Sequence, residues 1–466
     1  MKENIVVVGG GIAGLLSAYL LSEDSKYQVH LVERTGTLGG LLKCFDYGKY
    51  GKFDYGAHNI LETGIEELDN ILRDLLPQDK WQVSSAINGQ KRALTGIFFD
   101  GKLQKHSPFI DLRHRKNLDE LRADFFNNFE KVDTLEKTSA YEYSKSLFGK
   151  KITKEAIVPT FKSLYNTHPK NMDYMAMFLT PFTRVGLFNQ KVMHDLLPTD
   201  KLSRVLSYPK QQELSSDILG VKKAYYPKEY GIYRVIEALK SKLEEKGVLI
   251  YLNDEVKNIN LSKNKIKQIN LKNIKINNIK QLFWSAGYVP LMNLLDIKIS
   301  NLKFQAAPKT AITNILIDKK LKIADLSYFY NYDNKYKTFR VDNYINYCKG
   351  AKRDGLYPIS VEMLVSNEDS KNEKDIKKTA ISELKKFNIL KKDCKVKFAK
   401  TEILNYGFPL LSKDNIESMD KMRKKIKNRD IKGLTVLGIL AEKDLFFESD
   451  IKKDLYIKVK EFLNDN

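Results

Sequence analysis

The sequence predicts an α/β fold in which a parallel-sheet domain is assembled from separate stretches of chain, with a domain of mixed helical and β-sheet character inserted between them. Three observations predict it. The apolar run Ile5-Val-Val-Val8 enters Gly9-Gly10-Gly11-Ile-Ala13-Gly14 and continues into an apolar helical pattern. A second apolar run ends at the acid Glu33, and strand and helix patterning of the same kind returns after Tyr226 and again from Gly433.

The first forty residues read as a dinucleotide-binding βαβ unit, the Rossmann-like kind. Gly9 allows the tight strand-to-helix turn, Gly11 lets the backbone approach a pyrophosphate, and Gly14 lets the helix pack on the strand. The helix N-terminus offers free N–H groups to phosphate charge. Glu33 follows at the distance where an acidic side chain bonds a ribose hydroxyl. By residues alone, such a unit followed by an ordinary loop also suits NAD.

Further along, Glu62–Gly89 reads as a helix and connection, and Leu94–Leu103 as a hairpin turning at Asp100-Gly101. From Leu118 to about Leu197 the pattern is helical, interrupted at Phe148-Gly149-Lys150 and His168-Pro169. Pro227 and Gly231 lead into an amphipathic helix, Tyr233 to Lys246, and then a strand, Val248–Leu252. More alternating strands run to Trp284-Ser285-Ala286-Gly287. Residues 300–395 alternate strands and turns before a helix from Asp375 to Phe387; the strand Gly433–Gly438 and a helix from Ile451 to Leu463 close the pattern.

Composition narrows the class. A hydrophobic fraction of 42% and an aromatic fraction of 11% exclude a disordered chain. Ile5–Leu21 is apolar, but it is shorter than a membrane span and carries the nucleotide glycines, so no transmembrane segment is expected. Cys44, Cys348 and Cys394 are widely spaced, which suggests neither a disulfide framework nor a metal site; the expected compartment is the cytoplasm. The net charge of +21 attracts polyanions in principle, yet no nucleic-acid module is recognisable and Lys, Asn and Ile are enriched together. No nucleic-acid partner is expected. A small-molecule substrate, itself anionic, is.

The stretch Arg34-Thr-Gly36-Thr-Leu-Gly39-Gly40, followed by Phe53-Asp54-Tyr55-Gly56-Ala57-His58, resembles the FAD-binding amine-oxidase and protoporphyrinogen-oxidase-like superfamily. The resemblance implies FAD. It places cofactor contacts at Gly9, Gly11, Ala13, Gly14, Glu33, Arg34, Gly39, Gly40, Gly56, Ala57, His58, Val256, Gly287, Gly438, Asp450 and Ile451, with His58 also the catalytic or flavin-tuning candidate. By pattern alone Val256 is an ordinary strand residue. The implied division is an FAD-binding domain at 1–75, 216–295 and 396–466, with the substrate domain at 76–215, largely helical, and at 296–395, largely sheet.

Within the superfamily, Tyr55–His58, the Phe148–Arg184 stretch, Phe339-Arg340-Val341 and Gly438-Ile-Leu-Ala-Glu442 resemble the UDP-galactopyranose mutase-like flavoproteins of surface-polysaccharide pathways. That implies substrate contacts at Lys162, Tyr165, Arg184, Tyr330 and Arg340. Salt bridges would account equally for the two arginines, and edge-strand packing for the Tyr328–Tyr332 aromatics. The pattern departs at Ile439, where the mutases carry Arg, and at Leu445 and Phe446, which lack the diphosphate-holding tyrosines. The expected activity is FAD-dependent oxidoreduction of a nucleotide-linked or phosphorylated sugar. The alternatives are oxidation or desaturation of an amine, porphyrinogen or polyene, and a mutase-type isomerisation on reduced FAD.

Overall fold

The computed structural model describes residues 2–83, 94–129, 139–196, 199–210, 223–323, 325–346, 348–405 and 407–466. Along the chain, β1 (Glu3–Val8), α1 (Ile12–Leu21) and β2 (Tyr27–Glu33) form the βαβ start. The hairpin strands β3 (Leu94–Phe99) and β4 (Lys102–Gln104) precede three helices, α2 (Leu118–Phe129), α3 (Ala140–Phe148) and α4 (Val158–Tyr165). Then come α5 (Tyr233–Glu245), β5 (Leu249–Leu252), β6 (Ile279–Trp284) and α6 (Tyr288–Leu294). The strands β7 (Lys309–Ile317), β8 (Leu326–Asn331), β9 (Thr338–Asn343) and β10 (Tyr357–Val365) lead to α7 (Glu373–Lys386) and β11 (Val396–Leu404). Last are α8 (Lys413–Asn428), β12 (Leu434–Val436) and α9 (Glu448–Asn464).

These elements divide into two compact units: Met1–Val83, Lys222–Phe304 and Ile416–Asn466 in the first, and Ser84–Val221 with Gln305–Asn415 in the second. The first unit holds a five-stranded sheet in the order β5-β2-β1-β6-β12, parallel throughout. A parallel sheet is covered on both faces, which is why β1 reads as an unbroken apolar run. Val6 and Val8 join Leu282, Trp284, Leu291 and Met422 in one core, together with the antiparallel meander Asn258–Asn277. On the other side Tyr27 and Phe283 meet Phe462 of α9, at ring-centroid distances of 5.6 and 5.5 Å.

The second unit holds a seven-stranded mixed sheet, β11-β7-β10-β9-β8-β3-β4. Ala311, Ile315, Phe329, Val341 and Val361 pack on Ile376, Ala380, Leu384 and Phe387 of α7. Alternate residues point the other way. There the sheet is polar but still buried: Thr310, Asn314, Arg340, Asp342, Ser360 and Glu362.

Two readings are corrected. Residues 396–415, expected in the last nucleotide-domain segment, belong to the second unit, because β11 pairs antiparallel with β7 along its length. Val256 lies in the loop between β5 and the meander, not in a strand. The hairpin turn at Asp100-Gly101 forms, with φ of 50° and 72°. The connection expected after the helix Glu66–Arg73 includes residues 84–89, and the helical stretch includes 130–138 and Leu197; these lie outside the described residues.

Candidate functional site: a glycine-lined nucleotide cradle and a polar sheet face

Two glycine turns meet at the end of β1. Gly9 takes φ +108°, and a Cβ there would stand 2.3 Å from Ser285 Oγ; one on Gly14 would stand 1.8 Å from the Gly9 carbonyl oxygen. Those two glycines serve the strand–helix contact. Gly11 is different: its φ is −78°, and a Cβ would meet nothing nearer than the Gly40 Cα, at 3.9 Å. Its missing side chain therefore leaves open space rather than relieving a protein contact. The Gly39 N–H donates to the Gly10 carbonyl at 2.7 Å and binds the second turn to the first. Buried Ala13 lies in the first turn of α1, whose N–H groups have no partner within the helix.

Glu33 ends β2 with its side chain turned to this cradle. Its Oε2 accepts from the Gly10 N–H at 2.7 Å, and its Oε1 accepts from the Thr35 N–H at 2.9 Å and the Thr35 hydroxyl at 2.6 Å. Arg34 is exposed. Val256 is buried beside Val8 and Val32, just after Asp254, whose N–H donates to the Glu33 carbonyl at 3.2 Å. Gly287, with φ +80°, caps α6 and has no atom near a would-be Cβ. A Cβ on Gly438 would lie 3.5 Å from the Ser285 carbonyl oxygen. Asp450 and Ile451 occupy the first turn of α9, both donating to the Phe447 carbonyl. Gly9, Gly11, Gly14, Glu33, Gly287 and Gly438 thus gather at the carboxyl ends of β1, β2, β6 and β12, the side of a doubly wound sheet where ligands bind. Sequence reasoning missed Ser285. Its hydroxyl donates to the Val8 carbonyl at 2.8 Å, beside Gly9, Gly14 and Gly438.

The Gly56-Ala57-His58 turn is fixed by a buried carboxylate that sequence reasoning also missed. Asp54 accepts from the Tyr226 hydroxyl at 2.6 Å and from the Ile232 N–H at 3.1 Å, at the start of α5. The Asp54 N–H in turn donates to the Tyr230 hydroxyl at 2.9 Å. Gly56 takes φ +89°, and half-buried His58 has Nδ1 3.3 Å from the Gly56 carbonyl oxygen. The available signal was Asp54 just ahead of Tyr55-Gly56, and Tyr226 and Tyr230 around Pro227 and Gly231.

In the second unit the expected substrate residues separate. Tyr165, its hydroxyl pushed up to about 12 by burial, is linked through Phe161 and Phe182 to Tyr332 and the half-buried Tyr330. Between them Tyr332 stacks on Tyr330 at 6.0 Å and meets Phe182 at 5.0 Å. Among the described residues the Tyr332 hydroxyl has no hydrogen-bond partner. Lys162, on the same helix as Tyr165, is exposed. Arg184 is half-buried over the Phe109 ring at 5.5 Å, its Nε 3.4 Å from the Arg204 carbonyl oxygen. Among the described residues it has no carboxylate partner, and desolvation lowers its pKa.

Arg340, expected as a second anion ligand, is already committed. Its Nη2 bonds Glu362 Oε1 at 2.6 Å and its Nε lies 3.2 Å from Asp342 Oδ1. Burial pushes the Glu362 carboxyl up to about 8, Asp342 adds to the rise, and Arg340 opposes it. A guanidinium shared by two carboxylates offers a phosphate little charge. The physical reason is register: cross-strand pairing puts Arg340 opposite Glu362, and the strand period puts Asp342 on the same face.

Among the described residues no cluster of His, Cys, Asp or Glu could hold a metal ion, and no helix is long and apolar enough to cross a membrane. Residues 7–75 match the NAD(P)-binding Rossmann-like domain family. The chain is 22% identical over 281 residues to coproporphyrinogen III oxidase of Staphylococcus aureus, covering 57% of each protein. It is 26% identical over 287 residues to 1-hydroxycarotenoid 3,4-desaturase of a Flavobacterium species, covering 57% of this chain and 52% of that one. The similarity thus spans a little over half the length of these curated relatives. Among solved structures, reduced UDP-galactopyranose mutase superposes with a TM-score of 0.76 at 15% identity, over 100% of this chain and 95% of the other. Residues 7–75 thus carry a Rossmann-like nucleotide-binding segment, and over its length the chain is similar in fold to the flavoprotein UDP-galactopyranose mutase.

Proposed function

We propose that the protein is an FAD-dependent oxidoreductase acting on a nucleotide-linked or otherwise phosphorylated sugar, in surface-polysaccharide biosynthesis. The observation that carries the cofactor is the open space over Gly11, walled by the Gly39-Gly40 turn and by Glu33. A bulky pyrophosphate fits where a side chain would otherwise project, and Glu33 keeps lone pairs for a ribose diol. Gly9, Ala13, Gly14, Arg34, Val256, Gly287, Gly438, Asp450 and Ile451 complete the assigned contacts. When bound, the flavin supplies the electron-transfer chemistry. The chain's own residues bind and orient: His58, held at the Gly56 carbonyl, is assigned the catalytic or flavin-tuning role.

Arg184 supports the anionic substrate. A half-buried guanidinium without a carboxylate partner among the described residues is suited to bidentate phosphate binding. Ile439, 46% exposed and apolar, stands where a mutase would place a cationic side chain, which favours net oxidoreduction over isomerisation. The test is anaerobic mixing of the purified flavoprotein with UDP-, GDP-, dTDP- and CMP-sugars while flavin absorbance is followed. Bleaching by one class supports the proposal. Rapid pyranose–furanose interconversion without a change in flavin redox state would establish the isomerase instead.

One observation favours a second reading. The buried Arg340–Asp342–Glu362 group leaves no free cation on the polar sheet face, which suits an amine better than a phosphate. Bleaching by primary amines and not by sugar nucleotides would select it.

A further inference from the structure

We propose that Lys43, acting through Thr35, is a nucleotide-positioning residue that fixes the Glu33 carboxylate and adds a positive charge beside the two glycine turns. The inference rests on the FAD reading above. Lys43 follows the short helical turn Gly40–Leu42, and a Cβ on Gly39 would lie 3.2 Å from Lys43 Cγ, so the lysine stem runs along the second glycine turn. Its Nζ donates to Thr35 Oγ1 at 2.8 Å, and that hydroxyl donates to Glu33 Oε1 at 2.6 Å. Glu33 Oε2 accepts from the Gly10 N–H, and the Gly10 carbonyl accepts from the Gly39 N–H. With the backbone from Gly39 to Lys43, these hydrogen bonds close a ring, running from the first glycine turn through Glu33, Thr35 and Lys43 to the second turn and back.

The ring has a chemical consequence. A free Glu side chain has several rotamers, and only some present both oxygens to a ribose diol. Thr35 and Gly10 each occupy one oxygen and fix the carboxylate plane. The first turn of α1 carries no acidic side chain, and the N–H groups there are dipoles rather than full charges. Half-buried Lys43 supplies a full charge; burial lowers its pKa, and the nearby Glu33 carboxylate opposes that shift. A dinucleotide diphosphate would be drawn to it more strongly than to an exposed lysine, since burial weakens screening.

The test titrates the FAD-stripped protein with FAD, following quenching of flavin fluorescence, for wild type, K43M, K43R, T35V and the K43M/T35V double variant. K43M is expected to raise the FAD Kd about tenfold or more, the scale of a charge-assisted hydrogen bond. K43R should recover most of the affinity. T35V should lose less than K43M, and the double variant no more than K43M alone, because both changes open one relay. Melting temperatures of the FAD-free proteins should stay together. Wild-type affinity in K43M, multiplicative losses in the double variant, or a fall in FAD-free melting temperature that tracks the Kd would each overturn the inference. A wild-type protein that binds no FAD overturns the cofactor reading itself, and this inference with it.

Discussion

Substituting Gly11 by Val separates ligand binding from folding. The Gly11 φ of −78° is open to any residue, and the nearest atom to a Cβ is 3.9 Å away. The cost to the FAD-free protein is then confined to a poorer helix cap, about 0.5–1 kcal/mol. A cofactor present at a thousand times its Kd stabilises the native state by about 4 kcal/mol, which raises Tm by roughly 4 °C in a protein of this size. The Val side chain fills the cradle, so the variant should show no FAD-dependent shift while melting near the wild-type FAD-free value. Gly14→Val is the control. Its Cβ would stand 1.8 Å from the Gly9 carbonyl oxygen, a backbone atom that no rotamer change can relieve, so this variant should lose about 1–3 kcal/mol or more without any FAD. Differential scanning fluorimetry with and without FAD reads both. An undiminished FAD shift in Gly11→Val, or equal FAD-free stability of the two variants, would refute the assignment of the open space to the pyrophosphate.

Other outcomes follow from the same geometry. Arg184→Ala should weaken binding of a phosphorylated sugar by about 1.5–3 kcal/mol in a calorimetric titration while leaving FAD content unchanged. Arg340→Ala should instead cost about 3–5 kcal/mol of stability in urea denaturation, because two buried carboxylates lose their cation. Folding raises the Glu362 carboxyl from 4.5 to about 8, so its contribution to stability is complete below about pH 4.5 and lost as pH rises through 8. Glu362→Gln should therefore flatten the decline in stability between pH 5 and 8.5; an unchanged slope would exclude Glu362 as its source. Asp54→Ala leaves the Tyr226 hydroxyl and the Ile232 N–H without their buried acceptor, and should cost about 1–3 kcal/mol by chemical denaturation.

The glycine cradle was legible in the sequence because its constraints are local: Gly9, Gly11 and Gly14 lie within six residues, and Glu33 ends the next strand. The partners of Arg340 were not. Asp342 could have been suspected, two residues along the same strand, but Glu362 lies 22 residues away across a connection whose register only the folded sheet defines. Asp54 and Tyr226 are separated by 172 residues. Strand β11 escaped for another reason: it is an edge strand, and Lys397 and Lys400 break the apolar alternation as charges on edges commonly do. Helix α8 hides its stripe of Ile416, Met419, Met422 and Ile426 among nine charged residues of Lys413–Asn428. Residue pattern alone could assign Arg184 and Arg340 equal weight; the distribution of neighbouring carboxylates separates them.

The five-stranded sheet also constrains how the chain matures. β1 and β2 emerge first from the ribosome, yet β6 and β12 pair beside them only after most of the chain has been made, and α9 brings Phe462 onto Tyr27 and Phe283 later still. Lys452 of α9, fully buried, donates to the Leu61 carbonyl at 2.7 Å and fastens the late helix to the early segment. Until that helix arrives, an apolar strand and helix made early stay without their final cover. Such long-range closure slows folding and prolongs exposure of sticky surface. The apolar surface of the early strands and helix is therefore covered fully only once α9 docks.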